Sequence, residues 1–195
     1  QGRNLPLGVG HLERFNPAFM ELQRYLDRPG FVDVQRLGPF PNRSLDVDVV
    51  LDLMIHDIDL LLSMDSSPVT LLDAVGVPVL TPRTDIANVR LRFESGLVAS
   101  LTASRISQER NRKMRVFQPG HYFSLDLAQR SIRHIEMQGV NLIPHPEQVF
   151  PDEPLRLMWQ AFARQVGGEP TGVVMGRDAL KALRLAEDIV RACNA

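Results

Sequence analysis

Two periods divide the chain. Between Val69 and Met137 apolar residues recur at every second position in six runs: "VTLLDAVGVPV", "IANVRLRFE", "LVASLTASRIS", "KMRVFQ", "YFSLDLA" and "SIRHIEM". That period predicts half-buried strands. "ESGL" predicts a tight turn, as do "QPGH" and "AQRS". Such short links predict antiparallel neighbours. Before this block, "LPLGVGHL" reads as a buried strand. "NPAFMELQRYLDRPG" reads as a helix capped by Asn16, opened by Pro17 and stopped at Pro29-Gly30. "FVDVQRLG" reads as another strand, and "PFPNRSL" as a loop. After the block, "GVNLIPHPEQVFPDEP" reads as a Pro-rich loop. Two helices close the chain. One runs from about Pro154 to Val166 and buries Leu155, Trp159, Phe162 and Val166. The other runs from about Gly176 to Ala192, with Leu180, Leu183, Ala186 and Val190 inward. The layout predicts an α+β fold, a largely antiparallel open sheet with helices packed on one face.

One segment stands apart. "VVLDLMIHDIDLLLSM", within a helix predicted over Asp46 to Met64, is mostly apolar yet carries Asp52, His56, Asp57 and Asp59. Burying a charge without a partner costs several kcal/mol. At about 100° per residue, with Asp52 at zero, His56 falls near ~40° and Asp59 near ~340°. Asp57 falls near ~140°, off the stripe, and reads as structural. Asp52 and His56 are spaced i,i+4 and His56 and Asp59 i,i+3, the spacings that bring helix side chains together. The chemistry this suggests is a general acid/base. A carboxylate raises the proton affinity of histidine and orients it. A second carboxylate, Asp59, can hold substrate hydroxyls. The competing reading is a helix whose aspartates are merely solvated.

Composition narrows the partners. A chain of 195 residues with 44% hydrophobic and 23% charged residues suits one globular domain. The net charge of -1 gives no reason to expect nucleic acid or an anionic membrane. Charges interrupt every long apolar run, so no membrane span is expected, and no signal peptide is evident. The single cysteine, Cys193, allows no internal disulfide, and a reducing cytoplasm is the default.

Weaker signals lie elsewhere. "GVGHLE" lacks the third glycine of a dinucleotide fingerprint and is set aside as a cofactor loop. "HD" at His56-Asp57 suggests a metal-dependent hydrolase, but the other histidines fall in strands or loops, and no metal is expected. "GHLERF" places His11 and Arg14 at a strand end, where they contact substrate or form structural ion pairs. Arg105 in "TASRIS" is likewise an anion ligand or an ion-pair partner. All three are retained as candidate substrate contacts.

Taken together, "VGHLERFNPA", "DVVLDLMIHDIDLLL" and "ANVRLRFESGLVASLTASRIS" resemble the C-terminal part of the Gfo/Idh/MocA oxidoreductases. The resemblance runs from about Leu7 to the closing helix. "GHLERFNPA" and "DLMIHDIDLLL" are most similar to the UDP-N-acetylglucosamine 3-dehydrogenase branch. It implies a two-domain enzyme that uses NAD or NADP to oxidise a sugar hydroxyl, the substrate being a nucleotide sugar such as UDP-N-acetylglucosamine. His56 would take the hydroxyl proton. Asp52 would orient His56 and lie near the nicotinamide, and Asp59 would contact the substrate. A sheet face would make a homo-oligomer contact. The family's Rossmann half, with its Gly-rich loop and Glu-Lys-Pro lysine, is not in the sequence, and neither Lys113 nor Lys181 sits in such a motif. The expectation is therefore one substrate domain over residues 1–195, with 1–15 as the last strand of a missing Rossmann domain, inactive alone. A non-catalytic binding or dimerisation module of the same fold is the alternative.

Overall fold

The computed structural model describes residues 7–41 and 45–194. The first part of the predicted opening strand and the centre of the "PFPNRSL" loop lie outside the described residues.

The chain opens with β1 (Gly8–Val9), a 3-10 turn (Leu12–Phe15) and α1 (Pro17–Leu22). The Asn16 side chain accepts from the Ala18 amide, and Pro17 holds the first helical position, as the sequence predicts. The helix ends at Leu22, well short of Pro29. β2 (Phe31–Leu37) follows, then a helix in two parts: a π-helical turn (Val50–Met54) leading into α2 (Ile55–Met64). Next come β3 (Val69–Val77), β4 (Ile86–Phe93), β5 (Val98–Ser104), β6 (Asn111–Gln118), β7 (His121–Asp126) and β8 (Ser131–Gln138). The predicted Pro-rich loop instead holds two short strands, β9 (Asn141–Pro144) and β10 (Gln148–Val149), both on β8. α3 (Pro154–Val166), β11 (Val174–Met175) and α4 (Gly176–Cys193) close the chain.

The main sheet has nine strands in the order β10-β8-β7-β6-β2-β5-β4-β3, with β9 also on β8. Every pairing is antiparallel except β2 with β5. The fold is thus α+β, with a largely antiparallel sheet. Its inner face presents Val32, Val34, Val89, Leu91, Leu101, Met114, Val116 and Phe123. These pack against Phe19 and Leu22 of α1, Met54, Ile58 and Leu61 of the long helix, and Ala182, Ala186 and Ile189 of α4. The open face carries Asn88, Arg90, Arg92, Thr102 and Arg115, with an aromatic row of Phe31, Phe117 and Tyr122.

Both closing helices depart from their predicted faces. On α4 the buried stripe is Ala179, Ala182, Leu185, Ala186 and Ile189, while Leu180 and Leu183 are exposed. Small residues win the inner face because the helix lies close against β3. A Cβ on Gly76 of β3 would meet Cys193 Cβ at 2.7 Å and Thr84 Cγ2 at 2.9 Å. Gly76→Val is therefore expected to lower the unfolding free energy by about 1–3 kcal/mol, measurable by urea titration. An unchanged midpoint would mean that α4 tolerates displacement. Along α3, Leu155, Trp159 and Val166 are exposed, and only Ala161 is fully buried. α3 packs on the 3-10 turn through Phe15 and Val173, away from the sheet. Among the described residues, no helix is long and apolar enough to cross a membrane.

Candidate active site

β2 and β5 run parallel and end side by side, Leu37 opposite Ser104, and β6 begins against the same edge with Asn111 opposite Leu37. Above these strand ends lie the π-helical turn and the 3-10 turn. Together they wall a cleft of about 430 Å³, lined by Leu12, Glu13, Asp52, His56, Arg36 and Arg112 among others. Asp52 and His56 open onto it from the junction of the π turn with α2. π turns are rare and recur at functional sites.

Behind His56 the charges are matched pair by pair. Arg36 occupies a position on the inner face of β2, in parity with Val32 and Val34, and is buried. It donates to both oxygens of Asp57, at 2.9 and 2.7 Å, and to Glu13 at 3.0 Å. Asn16 donates to the other Glu13 oxygen at 3.1 Å. Asp57, only 2% exposed, is thus a structural partner on the side of the helix away from Asp52. Asp59, 1% exposed, receives two hydrogen bonds from Arg14 at 2.8 and 2.9 Å. His11 Nδ1 lies 3.9 Å from Asp59, and the His11 ring meets the His56 ring edge to face at 5.9 Å. Arg105 is buried beside the cleft. It donates to Asp85 at 2.8 Å, to Thr81 Oγ1 at 3.0 Å and to the Val47 carbonyl at 2.9 Å.

The structure therefore gathers Asp52 and His56 on one cleft, with His11, Arg14 and Asp59 as a cluster behind them. Asp59 presents its carboxylate to Arg14 rather than to the cleft. Among the described residues no hydrogen bond joins Asp52 to His56. The charged cleft residues not carried as candidates from sequence are Glu13, Arg36, Arg110 and Arg112. The signal for Arg36 and Arg112 was parity: each is a charge at a position in phase with buried residues of its strand.

Burial pushes the His56 imidazole below its ordinary value of 6.5, and the Arg36 charge and His11 add to this, against the opposing pull of Asp57 and Glu13. His11 is lowered too, by burial first and Arg14 as well, against Asp59. Arg36 is held above the ordinary arginine value: burial opposes its charge, but the Asp57 and Glu13 carboxylates outweigh it. The site thus has a neutral imidazole beside fixed, compensated charges. Nδ1 of His56 is buried without a hydrogen-bond partner among the described residues.

The glycines of "GVGHLE" sit in and after β1, which among the described residues pairs with β11. A Cβ on Gly8 would meet Val173 Cγ1 at 2.7 Å, so packing explains this glycine without a phosphate. No three-ligand His/Cys/Asp/Glu metal cluster occurs among the described residues.

An open sheet backed by helices, with a histidine at the mouth of a polar cleft, defines an α+β domain. Residues 25–118 match the GFO/IDH/MocA C-terminal domain. That stretch, about half of the chain, is similar to the C-terminal domains of Gfo/Idh/MocA proteins. It is 39% identical over 145 residues to the UDP-N-acetylglucosamine 3-dehydrogenase of Acidithiobacillus ferrooxidans, a match covering 74% of this chain and 46% of that protein. The solved structure of a UDP-N-acetylglucosamine 3-dehydrogenase from the same organism superposes with a TM-score of 0.89 at 30% identity, over 96% of this chain and 61% of that one. A levoglucosan dehydrogenase in complex with NADH and levoglucosan shares the fold, with a TM-score of 0.83 at 14% identity, over 99% of this chain and 65% of that one. The chain thus spans about half to two thirds of the length of these relatives.

Proposed function

We propose that this chain is the substrate-binding part of an NAD- or NADP-dependent dehydrogenase that oxidises a hydroxyl of a nucleotide sugar such as UDP-N-acetylglucosamine. The observation that carries the reading is His56, a partly buried imidazole opening onto the cleft beside Asp52, its pKa lowered by burial, in a chain similar to a UDP-N-acetylglucosamine 3-dehydrogenase. In this reading the sugar enters the cleft and its hydroxyl meets His56. With Nδ1 buried, Nε2 is the nitrogen left to accept the proton, which requires the Nδ1–H tautomer. The imidazolium so formed has Asp57 and Glu13 near it to favour its charge. Asp52 lines the same wall and orders the sugar, while the Arg14–Asp59 pair and His11 brace the helix behind it. Arg105 acts through the wall it anchors. The dinucleotide, which accepts the hydride, would be bound mainly by a Rossmann part of the enzyme, with Asp52 lying near its nicotinamide. The open sheet face, with its Phe31, Phe117 and Tyr122 row, is proposed as the contact of a homo-oligomer.

The test is to incubate the full-length protein with UDP-N-acetylglucosamine and NAD or NADP and follow absorbance of the reduced nicotinamide. Absence of reduction with every nucleotide sugar and both cofactors would overturn the proposal. A second expectation concerns pH. His56 must be neutral to accept a proton, and its pKa is lowered. The acid limb of kcat/KM is therefore expected to bend below pH 6.5 rather than at or above it. An acid limb at pH 7 or higher would contradict this environment.

A further inference from the structure

We infer that Arg110 and Arg112 form a diphosphate-reading ridge at the edge of the cleft, holding the nucleotide end of the substrate while the sugar reaches His56. The inference rests on the nucleotide-sugar reading above and adds the residues that would recognise the nucleotide.

The argument begins with strand parity. Arg112, Met114 and Val116 fall on one side of β6, because successive side chains alternate, and Arg110, just before the strand, lines the same cleft as Arg112. Met114 and Val116 are fully buried in the core. Arg112 carries the same face past the end of the core, into the cleft that Arg110 also lines. A globular protein has no packing reason to place two arginines there in succession.

Charge bookkeeping separates these two from the other cleft arginines. Arg36 is matched by Asp57 and Glu13, and Arg105 by Asp85. Arg112 stands directly across from Arg36 in the β2–β6 register, a like-charge pairing that is unfavourable unless an anion lies between. Glu13 supplies one, but its Oε1 is 3.0 Å from Arg36 and 3.8 Å from Arg112. Its charge is already committed to Arg36. The Arg112 side chain is 46% exposed. Arg110 is exposed and forms no hydrogen bond or ion pair with any of the described residues. Arg110 is thus unmatched among the described residues and Arg112 only weakly matched, through the Glu13 it shares with Arg36, and both face solvent at the rim.

Their position supplies the third observation. Arg110, Arg112, Leu12 and Glu13 line not only the His56 cleft but also a second hollow of about 300 Å³, bounded by Asn16, Leu127, Ala128 and Arg130. The arginines belong to the lining shared by the two depressions. A nucleotide sugar has this layout: two bulky ends joined by a diphosphate dianion. Guanidinium forks bind phosphate oxygens in pairs, with stronger hydrogen bonds than neutral donors make. The sugar would lie on the His56 side and the nucleoside on the Leu127–Ala128 side.

A diphosphate also occurs in the dinucleotide cofactor, so the experiment separates the two sources. Arg110→Ala, Arg112→Ala and Arg112→Lys are prepared in the full-length protein. Both arginines are exposed enough that folding is expected to survive, which thermal denaturation checks. Calorimetric titration with UDP-N-acetylglucosamine, UDP, N-acetylglucosamine and NAD is combined with steady-state kinetics. Each alanine variant is expected to raise the Kd for UDP-N-acetylglucosamine and for UDP about ten-fold or more, leaving Kd for NAD within two-fold. KM should rise with kcat retained, the pattern of uniform binding lost, and Arg112→Lys should fall between. Unchanged affinity for UDP-N-acetylglucosamine in a wild-type enzyme that turns it over would overturn the ridge and leave the function standing. Weakened NAD binding with unchanged UDP binding would also overturn it, assigning the arginines to the cofactor. Arginine-dependent UDP binding in a protein that oxidises no nucleotide sugar would support the ridge while the dehydrogenase reading fails.

Discussion

His56→Ala is expected to lower kcat/KM for nucleotide-sugar oxidation by about 10²–10⁴-fold, the usual cost of losing a general base. The loss should fall on kcat as well as on kcat/KM, because proton acceptance occurs in the transition state and not on binding. The fold should be nearly unaffected. His56 Nδ1 makes no hydrogen bond to the described residues, so its removal orphans no partner there. The ion pairs behind it run from Arg36 to Asp57 and Glu13 and do not pass through the imidazole. Melting within a few degrees of wild type, together with the rate loss, separates chemistry from unfolding. A rate within three-fold of wild type would remove His56 from the role. The pH profile adds a second readout: the acid limb below pH 6.5 should vanish in the variant, since the group that produced it is gone.

Arg105→Met should be the most destabilising of the substitutions considered, by about 3–5 kcal/mol in equilibrium unfolding of this domain. Methionine fills similar space, so the cost is electrostatic. Asp85 is fully buried. It accepts from the amides of Val79, Leu80 and Thr81 at 2.8, 2.6 and 2.9 Å, and from Arg105 at 2.8 Å. Burial alone would raise the Asp85 pKa, but these amides and the guanidinium outweigh it and hold the carboxyl far below its ordinary value of 3.8. A carboxylate so depressed contributes stability above its unfolded pKa, and that contribution is lost as pH falls through the acid range. Without Arg105 the depression shrinks. The gap between wild type and variant should therefore be widest near neutrality and narrow only in strong acid, as pH falls through the depressed folded pKa values. A gap that does not change with pH would mean that packing, not charge, is what Arg105 provides.

The strands were legible because their alternation is clean: "IANVRLRF" reads buried and exposed in turn, and so it folds. β9 and β10 were not, because both are exposed throughout and carry no burial pattern to read. α3 was legible as a helix but not by its face. Leu155, Trp159 and Val166 are spaced for burial, yet nothing among the described residues covers them. α4 was misread because its inner face is mostly alanine, where closeness to β3 matters more than side-chain size. In the site, the helical wheel separated Asp57 from the line of Asp52 and His56. It could not say what holds Asp57 and Asp59. Their partners, Arg36 and Arg14, come from other elements, 21 and 45 positions away in the chain. Pairing at that distance is a property of topology, not of local spacing.

That topology bears on the order in which the molecule can assemble. β2 is made early, yet both of its neighbours in the sheet, β5 and β6, come after the long helix and two further strands. It cannot be seated until the chain has emerged through Gln118. Non-local pairings of this kind are reached slowly, since a large loop must close before any contact rewards it. Until then Arg36 has no sheet to hold it against Asp57 and Glu13. The cleft is therefore among the last features to form, and a nascent chain arrested before β6 would carry His56 on a helix with no site around it.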